Sequence, residues 1–181
     1  MAAKKAAEFR IVNRRSGKAL QATGLENGLV VEQAEISKSD AQLWYTVENG
    51  DMVKVFNKAS GKVLDVMANG TVNGTWAQTW EDVDGESQFW KLVTVRPSYR
   101  KLLHVMSGKV LDIADMSEED GAPAQIWEDV NGENQQWKLV AEEAEKTTVT
   151  KTVKKPAAKK TAAKKTEETK AQAVKSTEVK K

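Results

Sequence analysis

The sequence predicts an all-β domain of three four-stranded repeats with pseudo-threefold symmetry, followed by a disordered C-terminal tail. Three observations predict it. The turn Ser16-Gly17-Lys18-Ala19-Leu20 returns as Ser60-Gly61-Lys62-Val63-Leu64 and Ser107-Gly108-Lys109-Val110-Leu111, at offsets of 44 and 47 residues. A second marker, Gln42-Leu43-Trp44, Gln88-Phe89-Trp90 and Gln135-Gln136-Trp137, recurs at 46 and 47. Between Lys146 and Lys181 there is no Phe, Trp, Tyr, Leu, Ile or Met, so nothing there offsets the entropy of ordering the backbone.

These markers divide the chain into a flexible arm at 1–7, repeats at about 8–50, 51–96 and 97–141, and a tail at 142–181. Each repeat opens on a short apolar or alternating run, Phe9-Arg10-Ile11-Val12, Val53-Lys54-Val55-Phe56 or Lys101-Leu102-Leu103, which reads as a strand before its Ser-Gly turn. The pairs Asp84-Gly85 and Asn131-Gly132 predict a hairpin between the segments ending near Trp80 or Trp127 and those holding Trp90 or Trp137. One repeat alone cannot bury its leucine and its tryptophan. The three must therefore close on a shared core, with Leu20, Leu64, Leu111, Trp44, Trp90 and Trp137 in threefold layers and each indole N–H in need of a partner.

Composition removes whole classes of chemistry. Without cysteine there is neither a disulfide framework nor a thiolate metal site, and a single histidine, His104, aligns with Asn13 and Asn57 as a local hydrogen-bonding cap. No catalytic residue, metal ligand or cofactor is expected. The acidic runs from Glu81 to Glu86 and from Glu128 to Glu133 lack calcium-loop spacing and read as turns with solvated charges. Neither an apolar leader nor a stretch of ~20 apolar residues is present. That predicts no membrane span and a cytoplasmic location, or exit by a leaderless route.

A period of this length, with Ser-Gly-Lys-x-Leu-Asp early and Gln-x-Trp late, resembles the ricin B-type β-trefoil lectins over residues 8–141. The resemblance implies a β-trefoil, a non-catalytic carbohydrate-binding function and a galactose-like or other glycan as ligand, taken by a monomer. Its sugar site combines an Asp after the first turn, an aromatic two residues beyond a mid-repeat Gln, and an Asn before Gln-x-Trp. Carried over, the third repeat supplies Asp112, Gln125, Trp127, Asn134 and Gln135, and the second supplies Asp65, Gln78, Trp80, Ser87 and Gln88. The chemistry is sound on its own terms: an indole stacks on a sugar's C–H face while a carboxylate accepts hydroxyl protons. In the first repeat Gln21, Glu35 and Ala41 take the Asp, aromatic and Asn positions, which makes that repeat structural only. Gln42, Gln88 and Gln135 read more readily as internal hydrogen-bonding ties between strands than as sugar contacts.

Charge is divided unevenly. Residues 146–181 hold 12 Lys against 3 Glu, leaving 16 basic and 23 acidic residues ahead of them, so the body carries about −7 and the tail about +9. The tail resembles, in composition only, the lysine- and alanine-rich tails of linker-histone-like proteins. This supports an alternative reading in which the trefoil is a protein-binding scaffold and the tail contacts nucleic acid or another polyanion. In a gel-shift titration at low salt the full chain is expected to retard nucleic acid, with the effect lost at high salt and after deletion of 146–181; no retardation at low salt rules that alternative out.

Overall fold

Each Gln-x-Trp marker begins a strand, and each apolar run before a Ser-Gly turn makes the strand it pairs with. The first strands are β1 (Phe9–Asn13), β6 (Met52–Asn57) and β10 (Tyr99–His104), and the last are β5 (Trp44–Asn49), β9 (Trp90–Arg96) and β13 (Trp137–Ala141). In the computed structural model, which describes residues 7–142, these six form a closed antiparallel ring. β1 pairs with β13 and β5, β6 with β5 and β9, and β10 with β9 and β13. Closure leaves every strand of the ring paired on both sides.

The middle of each repeat is a hairpin. Strand β2 (Ala19–Gln21) pairs with β4 (Glu32–Ala34), β7 (Val63–Val66) with β8 (Thr75–Trp80), and β11 (Val110–Ile113) with β12 (Ala124–Trp127). The hairpins also join each other: the short β3 (Leu29–Val30) pairs with β8, β8 with β12, and Glu32 bridges to Pro123. A six-stranded barrel covered by a triplet of hairpins is a β-trefoil, as the sequence predicts. The arm before Ala7 and the tail beyond Glu142, including its expected disorder and its basic run, lie outside the described residues.

The predicted core layers are present, and the indoles have found their partners. Trp44, Trp90 and Trp137 are fully buried with Leu20, Leu64 and Leu111. Each Nε1–H donates to the backbone carbonyl of the leucine in its own repeat, Leu20 at 2.9 Å, Leu64 at 2.9 Å and Leu111 at 3.1 Å. The indole therefore closes its repeat while filling the common centre.

Asn13, Asn57 and His104 also act as the sequence predicts. Asn13 Oδ1 accepts from the backbone N–H of Arg15, Asn57 Oδ1 from that of Ser60, and His104 Nδ1 lies 2.8 Å from Ser107 Oγ. The asparagines reach further, donating to Asn134 O and Ala41 O in the neighbouring repeats. One expectation fails: β8 and β9 do not pair, nor do β12 and β13, so Asp84-Gly85 and Asn131-Gly132 are not hairpin turns. Asp84 and Asn131 are left-handed, with φ of 57° and 58°, but Gly85 and Gly132 sit at −76° and −65° and lead into 3-10 turns instead.

His104 is fully enclosed, and burial lowers its pKa from 6.5 to about 4 against the opposing pull of the Ser87 backbone and Asp65. The unfolded chain takes up this proton more readily than the folded one. Its stabilising contribution is therefore complete above about pH 6.5 and is lost as pH falls towards 4, a difference on the order of 3 kcal/mol. Denaturation midpoints measured from pH 7 to pH 4 are expected to fall for the parent chain and to fall much less for His104→Asn.

Candidate functional site

Strand register assembles the site in the third repeat. Asp112 stands opposite Gln125 in the β11–β12 hairpin, so carboxylate and amide share one face, and Trp127 two residues further along shares it too. Gln125 Nε2 donates to Asp112 Oδ1 at 2.9 Å. From the other side Asn134, in the 3-10 turn Glu133–Gln135, donates to Asp112 Oδ2 at 2.8 Å and to Ile113 O at 3.1 Å. Asp112, Gln125, Trp127 and Asn134 line an open cavity of about 470 Å³ with Asp115, Met116, Val130 and Gly132. Burial pushes the Asp112 carboxyl up from its ordinary value; the amides of Gln125, Gln135 and Asn134 pull the other way, and Asp115 adds to the rise.

The second repeat repeats the plan with one change. Asp65 faces Gln78 across β7–β8, and Gln78 Nε2 donates to Asp65 Oδ2 at 3.0 Å. Ser87 occupies the place of Asn134, and Asp65 Oδ1 has no donor in the protein. Trp80, Val83 and Gly85 complete a cavity of about 510 Å³ with Met67, Ala68 and Asn69. Both tryptophans are half-buried, neither sealed in the core nor fully exposed.

Two further features shape these pockets. Consecutive left-handed residues form one wall of each, Ala68 and Asn69 at φ 53°, Asp115 and Met116 at 57° and 52°. Such strain in non-glycine residues gathers at binding sites. The second is that each tryptophan rests on the preceding repeat. A Cβ on Gly28, itself at φ +83°, would lie 3.3 Å from the Trp80 ring, and one on Gly74 would lie 3.8 Å from that of Trp127. Asn27 Oδ1 accepts from Glu81 N and Asn73 Oδ1 from Glu128 N, pinning the chain just beyond each indole. This second feature leaves a trace in the sequence that could have found it, since Asn27-Gly28 and Asn73-Gly74 recur at an offset of 46.

The acidic runs beyond the indoles are exposed, as expected, and are also held by two lysines. Lys54 Nζ lies 2.6 Å from Asp82 and 2.7 Å from Asp84, and Lys101 donates to Asp129 and Asn131 at 2.7 and 3.0 Å. Both lysines are buried, so these bonds fix the loops carrying Val83 and Val130.

Gln88 and Gln135, expected among the ligand contacts, do not line the pockets. Both are fully buried, and they bind backbone on either side: Gln135 accepts from Val130 and donates to Glu128, while Gln88 accepts from Val83 and donates to Glu81. They shape the loop beneath the site, which is the internal-tie reading. The first repeat needs a correction as well. Gln42 donates to Glu35 O as its counterparts do to Glu81 and Glu128, so Ala34, opposite Ala19, occupies the aromatic position and Glu35 follows it. Gln21 and Glu32 there form an amide–carboxylate pair in reverse order, at 3.0 Å. Trp76 stands opposite Gln125 where β8 meets β12, and it lines neither pocket.

Two stretches of the chain, residues 2–80 and 86–173, match the family described as ricin-type beta-trefoil lectin domain-like. The chain belongs to that family. No curated protein matches it. Among solved structures, the family member resembles the designed threefold-symmetric protein ThreeFoil at 35% identity, over 75% of this chain and 99% of that one, with a TM-score of 0.73. It also resembles an exo-beta-1,3-galactanase from Clostridium thermocellum at 32% identity and a TM-score of 0.74, over 76% of this chain but only 30% of the enzyme. The C-half of an earthworm R-type lectin, solved with GalNAc, shares the fold at 22% identity and a TM-score of 0.59, over 76% of this chain and all of that one.

Gly28→Ala is expected to cost about 1–2 kcal/mol, from a left-handed alanine and its contact with Trp80. Urea denaturation measures that cost, and the Trp80 contribution to fluorescence should shift with it.

Proposed function

We propose that this lectin-family domain binds carbohydrate without catalysis, through one shallow pocket in the second repeat and one in the third. The observation that carries the reading is the shared geometry: a half-buried indole beside a carboxylate that amides hold in place. Trp80 and Trp127 offer a face for the C–H side of a pyranose, and Asp65 and Asp112 offer acceptors for its hydroxyls. Gln78, Gln125 and Asn134 orient those carboxylates, and Ser87 lines the wall of the second pocket. A galactose-like ligand is supported by the GalNAc of the earthworm lectin complex and by the likeness to the galactanase.

The non-catalytic part of the reading has its own support. Asp65 is the one carboxylate lining the second cavity, with Asp82 further along the chain bound to Lys54; in the third, where Asp115 also lines the cavity, Gln125 and Asn134 engage both oxygens of Asp112. Shallow, wet pockets of this kind hold a monosaccharide at roughly 0.1–1 mM. Two of them engaging one polymer raise the apparent affinity without any new contact.

A glycan array followed by tryptophan-fluorescence titration tests the proposal. Trp80→Ala and Trp127→Ala are each expected to lower apparent affinity for a polymeric ligand about tenfold or more, and the double variant should bind nothing while keeping its far-ultraviolet spectrum. A double variant that binds like the parent chain refutes the assignment.

A further inference from the structure

One indole lies outside both pockets and beside one of them. Trp76 is 37% exposed and faces Gln125 across the junction of β8 and β12. Residues opposite one another in an antiparallel pair project from the same face, with Cβ atoms about 4.5–5.5 Å apart. Trp76 therefore shares the outward face of Gln125, which lines the third pocket, and stands diagonally from Trp127, at about 7–8 Å by the same geometry. The two indoles are also linked from beneath, since Gly74, against which the Trp127 ring rests, precedes Trp76 by two residues.

The threefold plan shows what is particular about this position. The residue facing the mid-repeat polar side chain comes each time from the repeat before it in the ring: Val30 faces Gln78, Trp76 faces Gln125, and Pro123 faces Glu32. Val30 and Pro123 are half-buried, whereas Trp76 is exposed. The core already holds its three tryptophans, Trp44, Trp90 and Trp137, and Trp76 stands outside it. A single exposed apolar side chain is ordinary on any protein surface. This one differs because it continues an indole-walled pocket with a second flat apolar face on the same side of the sheet.

We infer that the third pocket continues onto Trp76 and takes a glycan of at least two linked sugars, the first held at Trp127 and the next stacked on Trp76. The apolar C–H face of a pyranose matches an open indole and requires no further polar group to rest there. The second pocket, with Val30 in the equivalent place, reads a single sugar unit. Trp76 is thus a specificity residue for ligand length, supplied to the site of the third repeat by the second. This inference rests on the carbohydrate reading above.

The test uses the full chain in two backgrounds: Trp80→Ala leaves the third pocket to be read alone, and Trp127→Ala leaves the second. Each is titrated calorimetrically with methyl β-galactopyranoside and with galactobioses of differing linkage. In the third pocket at least one galactobiose should bind about three- to tenfold tighter than the monosaccharide, the gain expected from one more stacked sugar. Adding Trp76→Ala in that background should reduce the ratio to about twofold or less, and Trp76→Tyr should retain most of it. A side chain that merely covers its strand would change both affinities together and leave their ratio alone. In the second pocket the ratio should be about twofold or less from the outset. Equal ratios in the two pockets, or a ratio in the third that survives Trp76→Ala, overturn the inference and leave sugar binding standing. A parent chain that binds neither methyl β-galactopyranoside nor any galactobiose overturns the inference together with the galactoside reading beneath it.

Discussion

One hydrogen bond, made three times, holds the trefoil together: a fully buried indole N–H donates to the backbone carbonyl of a leucine at the start of the same repeat's hairpin. A tryptophan placed at the centre of a barrel supplies a large apolar surface but also one polar atom that must not be left unpaired. Donation to Leu20, Leu64 and Leu111 resolves this and ties the last strand of each repeat to its hairpin. The ring of six strands and the hairpin triplet then share one core instead of forming two.

That closure explains where the pockets lie. The barrel consumes the edges of the outer strands, and the hairpins present their outward face, which carries Asp65, Gln78 and Trp80 or Asp112, Gln125 and Trp127. Each pocket is also a junction, since the glycine beneath its indole and the asparagine that pins the following residue come from the repeat before. A single repeat could form neither the core nor a complete site. The circular arrangement supplies both with the same contacts.

Local sacrifices of stability collect at these junctions and are offset by the symmetric core. Paired left-handed residues wall both pockets, Asp112 is buried at the base of one, and Asp65 keeps an oxygen without a donor in the other. Counterparts elsewhere are relaxed: the first repeat holds Ala34 in place of the indole, and its polar pair, Gln21 with Glu32, is satisfied. His104 shows what replacing a symmetric asparagine costs. It keeps the cap to Ser107 but brings a titratable ring into a place that excludes charge.

Periodicity records which positions face a common centre, and for that reason the three repeats, most of their strands and the core leucines and tryptophans follow from the linear chain. Asp65, Gln78, Trp80, Asp112, Gln125, Trp127 and Asn134 are legible through the resemblance to the family, whose motif they match position by position. Register at one-residue precision is not, so Glu35 aligns with the indoles where Ala34 stands, and Asp84-Gly85 reads as a hairpin turn. Folding in three dimensions settles the remainder: Gln88 and Gln135 turn inwards, Lys54 and Lys101 anchor the acidic loops, and one buried oxygen of Asp65 is left without a donor. These outcomes depend on which atoms meet within and between repeats about 46 residues long, and a linear pattern records the residue types but not the distances between their polar atoms.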